Sequence, residues 1–265
     1  MSVPIALTIA GSDSSGGAGI EADLKTFSAL GVYGACAIAA LTAQNTKGVV
    51  AVHDVPADFV AAQIDAVFAD LEVGAVKIGM LANAQIIDAV AAALDRYHPR
   101  NVVLDPVMIA SSGERLLRED ALGALRGLIR RARVITPNLP EAAALLDAPP
   151  ARDEAEMRGQ AEKLLALGAG AVLIKGGHGA GAESVDLLVE PGRCLRLATP
   201  RVATKNTHGT GCTLASALAA GLAKGLSLAE AARQAKDYVS AAIAAADRLK
   251  IGSGRGPLHH FHAWW

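Results

Sequence analysis

The sequence predicts an α/β protein: a central, mostly parallel sheet flanked by helices. Short apolar runs alternate with helical segments along most of the 265 residues, which is the rhythm of βαβ units. Those runs lack polar–apolar alternation, as expected of strands covered on both faces. The apolar mass is mainly alanine, 56 residues, with only nine aromatics, so helices can pack close to a sheet.

Ile5–Ala10 reads as the first strand, ending in a glycine-rich loop, with a helix over Ala22–Leu30 closed by Gly31. Ala35–Leu41 is a buried strand, Phe59–Asp70 a helix by its apolar spacing, and Ala75–Ile78 a strand before Gly79. The helix Ala84–Tyr97 precedes a strand at Asn101–Leu104 that stops at Asp105-Pro106. Asp120–Ile129 is helical, Val134–Thr136 a strand, and Leu139–Leu146 and Glu154–Leu167 helices. Ala171–Ile174 is a strand, Ser184–Val189 and Leu195–Leu197 an antiparallel pair, and Thr213–Lys224 and Leu228–Leu249 the last two helices. The Asp147–Asp153 stretch reads as a surface loop rather than a domain boundary, so a single domain over 1–265 is expected.

Composition excludes several classes. A hydrophobic content of 52% is too high for a disordered chain. A net charge of −1 does not suit binding by phosphate neutralisation along nucleic acid. Mean hydropathy is +0.32, and Thr26–Thr46 and Asn206–Ala223 lack charged side chains. Both windows are too polar and glycine-rich for lipid. The amino-terminal stretch has no basic, apolar leader pattern, so a cytoplasmic protein is expected. Cys36, Cys194 and Cys212 show no disulfide or metal spacing and read as reduced thiols.

In a sheet of this kind ligands bind beyond the carboxyl ends of the strands, where the polar segments gather. Asn206–Thr213 is a glycine-flanked turn opening a helix. Unpaired N–H groups and the positive dipole end there suit an anion such as phosphate. Cys212 stands in the first helical turn, where its pKa should fall and it could serve as base or nucleophile; a small buried cysteine is the alternative. Gly11–Gly19 permits close backbone approach to a ligand, or is a plain connection. Asp105 and Glu141 are hard oxygen donors of the type that hold Mg²⁺, or a turn residue and a favourable helix-N-terminal charge. Lys175, in Lys175-Gly176-Gly177-His178, adds a cation to the same edge, unless it is a surface turn lysine. Gln44 offers an amide able to pair bidentately with a nitrogen heterocycle, or ends a strand. His259, His260 and His262 read as a non-catalytic tail.

Together the segments AGSDSSGGAGIEADLKT, TAQNTKGV, KIGML, DPVMIASSG, TPNLPEA, LIKGGH and KNTHGTGCTLASA, in order from Ala10 to Ala217, resemble one family. It is the bacterial hydroxymethylpyrimidine/phosphomethylpyrimidine kinases of thiamine biosynthesis, in the ribokinase-like superfamily. The tail PLHHFHAWW is similar too, and the length matches the stand-alone form. The resemblance implies a three-layer α/β/α fold, ATP and Mg²⁺, a pyrimidine substrate phosphorylated twice, and a homodimer. By motif it implies Gln44, Gly11, Asp23, Met80 and Val107 in the pyrimidine pocket, with Cys212 as base. Gly209, Thr210 and Gly211 would form the anion hole. Lys175, Asn138 and Thr136 would serve ATP, and Asp105 and Glu141 would organise Mg²⁺. Glu21 stands where the motif often has Gln, with little consequence expected. Loop closure is expected around Gly113 and Gly177–Gly181. A pyridoxal kinase and a catalytically dead pyrimidine sensor are the rival readings; Gln44, which donates and accepts at once, favours an aminopyrimidine.

Overall fold

The computed structural model describes residues 3–109, 113–114, 116–177 and 181–265. The chain begins with β1 (Ile5–Gly11), α1 (Gly19–Ala29), β2 (Tyr33–Asn45), β3 (Gly48–Asp54) and α2 (Ala57–Phe68). Next come β4 (Ala75–Ile78), α3 (Ala84–Tyr97), β5 (Val102–Leu104), α4 (Leu122–Leu128), β6 (Val134–Ile135) and α5 (Leu139–Leu146). The remainder is α6 (Glu154–Ala166), β7 (Val172–Lys175), β8 (Glu183–Glu190), β9 (Arg193–Pro200), α7 (Thr210–Ala223) and α8 (Leu228–Ala244).

Among the described residues nine strands form one sheet in the order β3-β2-β1-β4-β5-β6-β7-β8-β9. The six central strands are parallel; β3 and β8 run against them, and β9, antiparallel to β8, runs with them. Chain order reverses at β1, which pairs with β2 on one side and β4 on the other. A crevice opens at the carboxyl ends of strands at such a reversal.

Each strand sends side chains to both faces, and the two faces differ in size. Leu7, Ile9, Val76, Ile78, Val102, Leu104 and Ile135 meet residues of α2 to α6, among them Ile64, Ile87, Val90, Leu145 and Leu164. On the other face Ala6, Ala75, Val103, Val134 and Ala171 meet α1, α7 and α8. Smaller strand side chains let the alanine-rich α7 lie close to the sheet. From Thr213 to Leu222 this helix is buried all round, as an apolar helix in a core must be. The expected layers of helix, sheet and helix are therefore present.

Helix boundaries follow local chemistry. Asn138 and Glu141 form a capping box at the start of α5, as Ser227 and Glu230 do for α8. The strand expected at Ala35–Leu41 runs much further, to Asn45, and turns into β3, which the apolar pattern did not predict. Most of β3 is exposed, so it carries little hydrophobic signal. Its markers are the β-branched Val49, Val50 and Val52 after a turn in which Lys47 N–H donates to Asn45 Oδ1 at 2.8 Å. The last helix ends at Ala244 instead of Leu249, because the chain tightens into a 3₁₀ turn at Ala246–Arg248. Similar turns flank α4 at both ends.

Removing the Ile64 side chain should leave a cavity under α2. Ile64→Ala is expected to lower stability by about 2–5 kcal/mol, and Val50→Ala on exposed β3 by less than about 0.5 kcal/mol. Urea unfolding of both variants checks this.

Candidate active site

A cavity of about 590 Å³ lies over the carboxyl ends of the parallel strands. Gly11, Gln44, Met80, Val107 and His208 line one region; Asp105, Asn138, Glu141, Lys175 and Gly209 to Cys212 line another. A third lobe is formed by Ser184, Asp186, Val202, Lys236, Val239 and Ile243.

The loop after β1 is organised by Asp13. Its carboxylate accepts from Ser15 N–H at 2.9 Å, Ser15 Oγ–H at 2.7 Å, Gly17 N–H at 3.1 Å and Ala18 N–H at 2.9 Å. His208 Nε2 lies 2.7 Å from Asp13 Oδ2. Burial raises the Asp13 pKa, but these hydrogen bonds and the His208 contact more than offset it and hold the carboxyl well below the usual range. Gly11 accommodates Met80, whose sulfur would stand 2.7 Å from a Cβ at that position. Gln44 Oε1 stands 3.1 Å from Thr42 Oγ1, whose hydroxyl can donate to it, and Gln44 Nε2 stands 3.4 Å from His208 Nε2.

Directly after His208, α7 begins at Thr210 following Gly209, which has φ +82° and no side-chain cap. A Cβ at Gly209 would lie 1.9 Å from Gly17 O, so only glycine allows the two loops to touch. One at Gly211 would stand 3.2 Å from Lys175 Nζ and 3.7 Å from Asp105 Oδ2. The helix N-terminus, the lysine and the carboxylate thus converge on one spot. Lys175 Nζ donates to Asp105 Oδ1 at 2.8 Å and is 3.8 Å from Glu141 Oε2. Burial pushes the Glu141 carboxyl up to about 7 against the opposing pull of Lys175. Among the described residues no group of three or more His, Cys, Asp or Glu forms a metal site. Asp105 and Glu141 are the carboxylates facing this spot.

Three expectations require correction. Cys212 lines the cavity, but its thiol is pushed up to about 11. Desolvation outweighs the nearby Lys77 cation, and Asp23 and Asp105 add to the rise. Asp23 does not line the cavity. Fully buried beneath it, Asp23 accepts from Lys77 Nζ at 2.8 Å, Thr8 Oγ at 2.6 Å and Ser216 Oγ at 2.6 Å. Thr136 is also buried, behind Asp105, to which its hydroxyl donates at 2.9 Å. Glycine 113 is described as a positive-φ residue outside the cavity lining. His178 and residues 179–180 of the second expected closing loop lie outside the described residues, as do positions 110–112.

Sequence reasoning missed Lys77, Asp13, His208 and the buried Lys236–Asp186 pair at 2.8 Å. A signal existed for Lys77, a lone cation within the apolar strand Ala75-Val76-Lys77-Ile78. The tail proves to be a support for α7. Gly256 O accepts from His208 N–H at 3.1 Å. His260 Nε2 sits 3.0 Å from Thr213 Oγ1, and Tyr238 O–H donates to His260 O at 2.6 Å.

A helix start beside fixed, buried cations in one cavity with a polar pocket suits a small-molecule phosphotransferase. The chain belongs to the phosphomethylpyrimidine kinase family, whose profile matches residues 13–259. It is 60% identical to a hydroxymethylpyrimidine/phosphomethylpyrimidine kinase of Rhizobium meliloti, over 98% of each chain. The phosphomethylpyrimidine kinase of Clostridium difficile is 45% identical, with a TM-score of 0.81 over 91% of this chain and 100% of that one. The pyridoxal kinase of Staphylococcus aureus, solved with AMP-PCP and pyridoxal, is 32% identical, with a TM-score of 0.91 over 100% and 96%. The fold is accordingly ribokinase-like.

Burial holds the His260 imidazole down to about 4 from 6.5. A depressed histidine pKa contributes stability that is present above 6.5 and lost as pH falls toward 4. His260→Gln is expected to abolish up to about 3 kcal/mol of that acid-dependent loss, read as the difference between the two proteins' urea midpoints at pH 7 and pH 4.5. Parallel pH curves would contradict it.

Proposed function

We propose that this chain, as a single kinase unit over 1–265, transfers the γ-phosphoryl of ATP to 4-amino-5-hydroxymethyl-2-methylpyrimidine. It then phosphorylates the monophosphate to the diphosphate, in thiamine biosynthesis. The carrying observation is one cavity lined both by Gln44 and by the Gly209–Cys212 helix start, which faces Lys175 and Asp105.

Phosphoryl transfer needs alignment and charge neutralisation more than covalent chemistry. Gln44 reads the ring, which packs among Gly11, Met80 and Val107. The backbone N–H groups at Gly209 and Gly211 receive the transferred phosphoryl oxygens, joined by that of Thr210 once it gives up its long, 3.3 Å bond to Thr207 O. Lys175 meets the ATP phosphates, with Asn138 beside it and Thr136 acting through Asp105. Asp23 acts by fixing Lys77. The apolar side chains Val202, Val239 and Ile243 offer the third lobe to the nucleotide base.

Asp105 and Glu141 would hold Mg²⁺. Hard carboxylate oxygens fit that ion, which binds through one or two carboxylates plus waters and substrate phosphates. When bound, it supplies charge neutralisation of the phosphates. Cys212 is the proposed base, taking the proton of the hydroxymethyl oxygen as that oxygen bonds to the γ-phosphorus and the γ-phosphorus–oxygen bond to departing ADP breaks. Because its thiol is raised, the competent thiolate is a small fraction near neutrality and grows with pH.

The likeness to a pyridoxal-bound kinase supports a second reading, phosphorylation of pyridoxal, which also carries a hydroxymethyl arm. ATP consumption measured in parallel on hydroxymethylpyrimidine, its monophosphate and pyridoxal decides between them. Activity on both pyrimidines is expected; activity on pyridoxal alone would overturn the main reading, and none at all would favour a sensor. Turnover should climb from pH 7 to pH 9, and Cys212→Ala should remove most of it with little change in pyrimidine binding. A flat profile, or unchanged turnover in that variant, would exclude Cys212 as the base.

A cytoplasmic homodimer is part of the same reading. No helix among the described residues is long and apolar enough to cross a membrane. Leu41, Val50 and Val52 are exposed on the β2–β3 hairpin and could be covered by a second copy. Sedimentation should show a single species of twice the chain mass, reduced to the monomer by Val50→Glu with Val52→Lys.

A further inference from the structure

We infer that the Asp13–His208 pair dictates which end of the Gln44 amide faces which neighbour, making His208 a positioning residue for substrate specificity. The inference rests on the proposed pyrimidine substrate.

Asp13 collects four donors from its own loop and stands 2.7 Å from His208 Nε2. A carboxylate so surrounded is ionised and only accepts, so His208 Nε2 must carry a hydrogen. That nitrogen cannot also accept from Gln44, whose amide ends 3.4 Å away. Its one hydrogen is directed to Asp13 and, at 3.4 Å, is shared at most weakly with Gln44, but that positive N–H edge favours the amide oxygen over the amide N–H₂. At the other end of the amide, the single hydroxyl hydrogen of Thr42 is directed to Ser12 O at 2.9 Å. The Thr42 oxygen, 3.1 Å from the amide, is left to accept and calls for the amide nitrogen. The two ends of an amide are nearly identical in shape, so the hydrogen bonds decide the assignment. The amide stands with Oε1 toward Thr42 and Nε2 toward His208; both neighbours call for the reverse, oxygen toward His208 and nitrogen toward Thr42, which a half-turn of the amide supplies.

The free edge of Gln44 then offers an acceptor on the His208 side and a donor on the Thr42 side. A 4-aminopyrimidine matches it with the exocyclic amine toward His208 and the ring nitrogen toward Thr42. The hydroxymethyl arm sits on the carbon next to the amine. His208 is followed directly by Gly209, where the α7 N-terminus begins, so this orientation also sends the arm toward Cys212. A 4-oxo ring, with N–H and C=O in the reversed order, meets donor against donor and acceptor against acceptor.

Long-range ¹H–¹⁵N NMR of the free protein at neutral pH reads the His208 tautomer without any substrate. A protonated Nε2 is expected; a bare Nε2 would overturn the wiring. For the consequence, kcat/KM is compared between the 4-amino substrate and its 4-oxo analogue. His208→Ala, which frees the amide to turn, should lower the wild-type preference by about tenfold or more, chiefly through KM for the amine. His208→Gln, whose amide can donate to Asp13 and Gln44, should restore most of it. A role in folding alone would depress both substrates together, and an unchanged ratio in His208→Ala overturns the specificity role. Should the wild type phosphorylate neither ring, the proposed function fails while the NMR tautomer still decides the wiring.

Discussion

The site depends on how closely the start of α7 approaches the loop after β1. A methyl at Gly209 would collide with Gly17 O at 1.9 Å, so the two loops meet backbone to backbone. That contact is possible because α7 rests on strand positions occupied by Ala6, Ala75 and Val103. Larger side chains there would lift the helix and carry Gly209, Gly211 and Cys212 away from Lys175 and Asp105. The alanine-rich composition is thus a condition for the placement of this helix start as well as for the core. From the outer side Gly256, Pro257 and His260 press on the same turn through His208 and Thr213.

Beneath the cavity the protein keeps charges where solvent hardly reaches. Lys77 with Asp23, Lys175 with Asp105 and Lys236 with Asp186 are each paired at 2.8 Å. Buried pairs of this kind are weak sources of stability, since desolvation cancels much of the attraction. Their common position around one cavity gives them a different value. In the proposed reaction the cations are already oriented before a phosphate arrives, so little reorganisation would remain. The same dry surroundings that strengthen these contacts oppose ionisation of Cys212 and Glu141, which explains why both titrate high.

Much of this was legible along the chain. Strand and helix positions followed from apolar runs and periodicity, because those patterns report burial on one face or two. Cavity-lining residues Gly11, Gln44, Met80, Val107, Asp105, Asn138, Glu141, Lys175 and Gly209 to Cys212 came from motifs at strand ends. Strand β3 was hidden because an exposed hairpin needs no hydrophobic pattern. Asp23 and Thr136 were placed one layer too near the cavity, since a polar residue in a motif looks the same whether it lines the cavity or holds the residue that does.

By itself, then, the sequence determined the class of fold, the edge of the sheet that carries the site and the chemical types gathered there. These are properties of composition, spacing and local turn chemistry. Tertiary structure alone decided the partners: Asp13 meets His208 across 195 positions and Asp23 meets Ser216 across 193. It also decided the sign of the Cys212 shift. A helix N-terminus lowers a thiol pKa, burial beside carboxylates raises it, and only the packed protein shows which environment dominates.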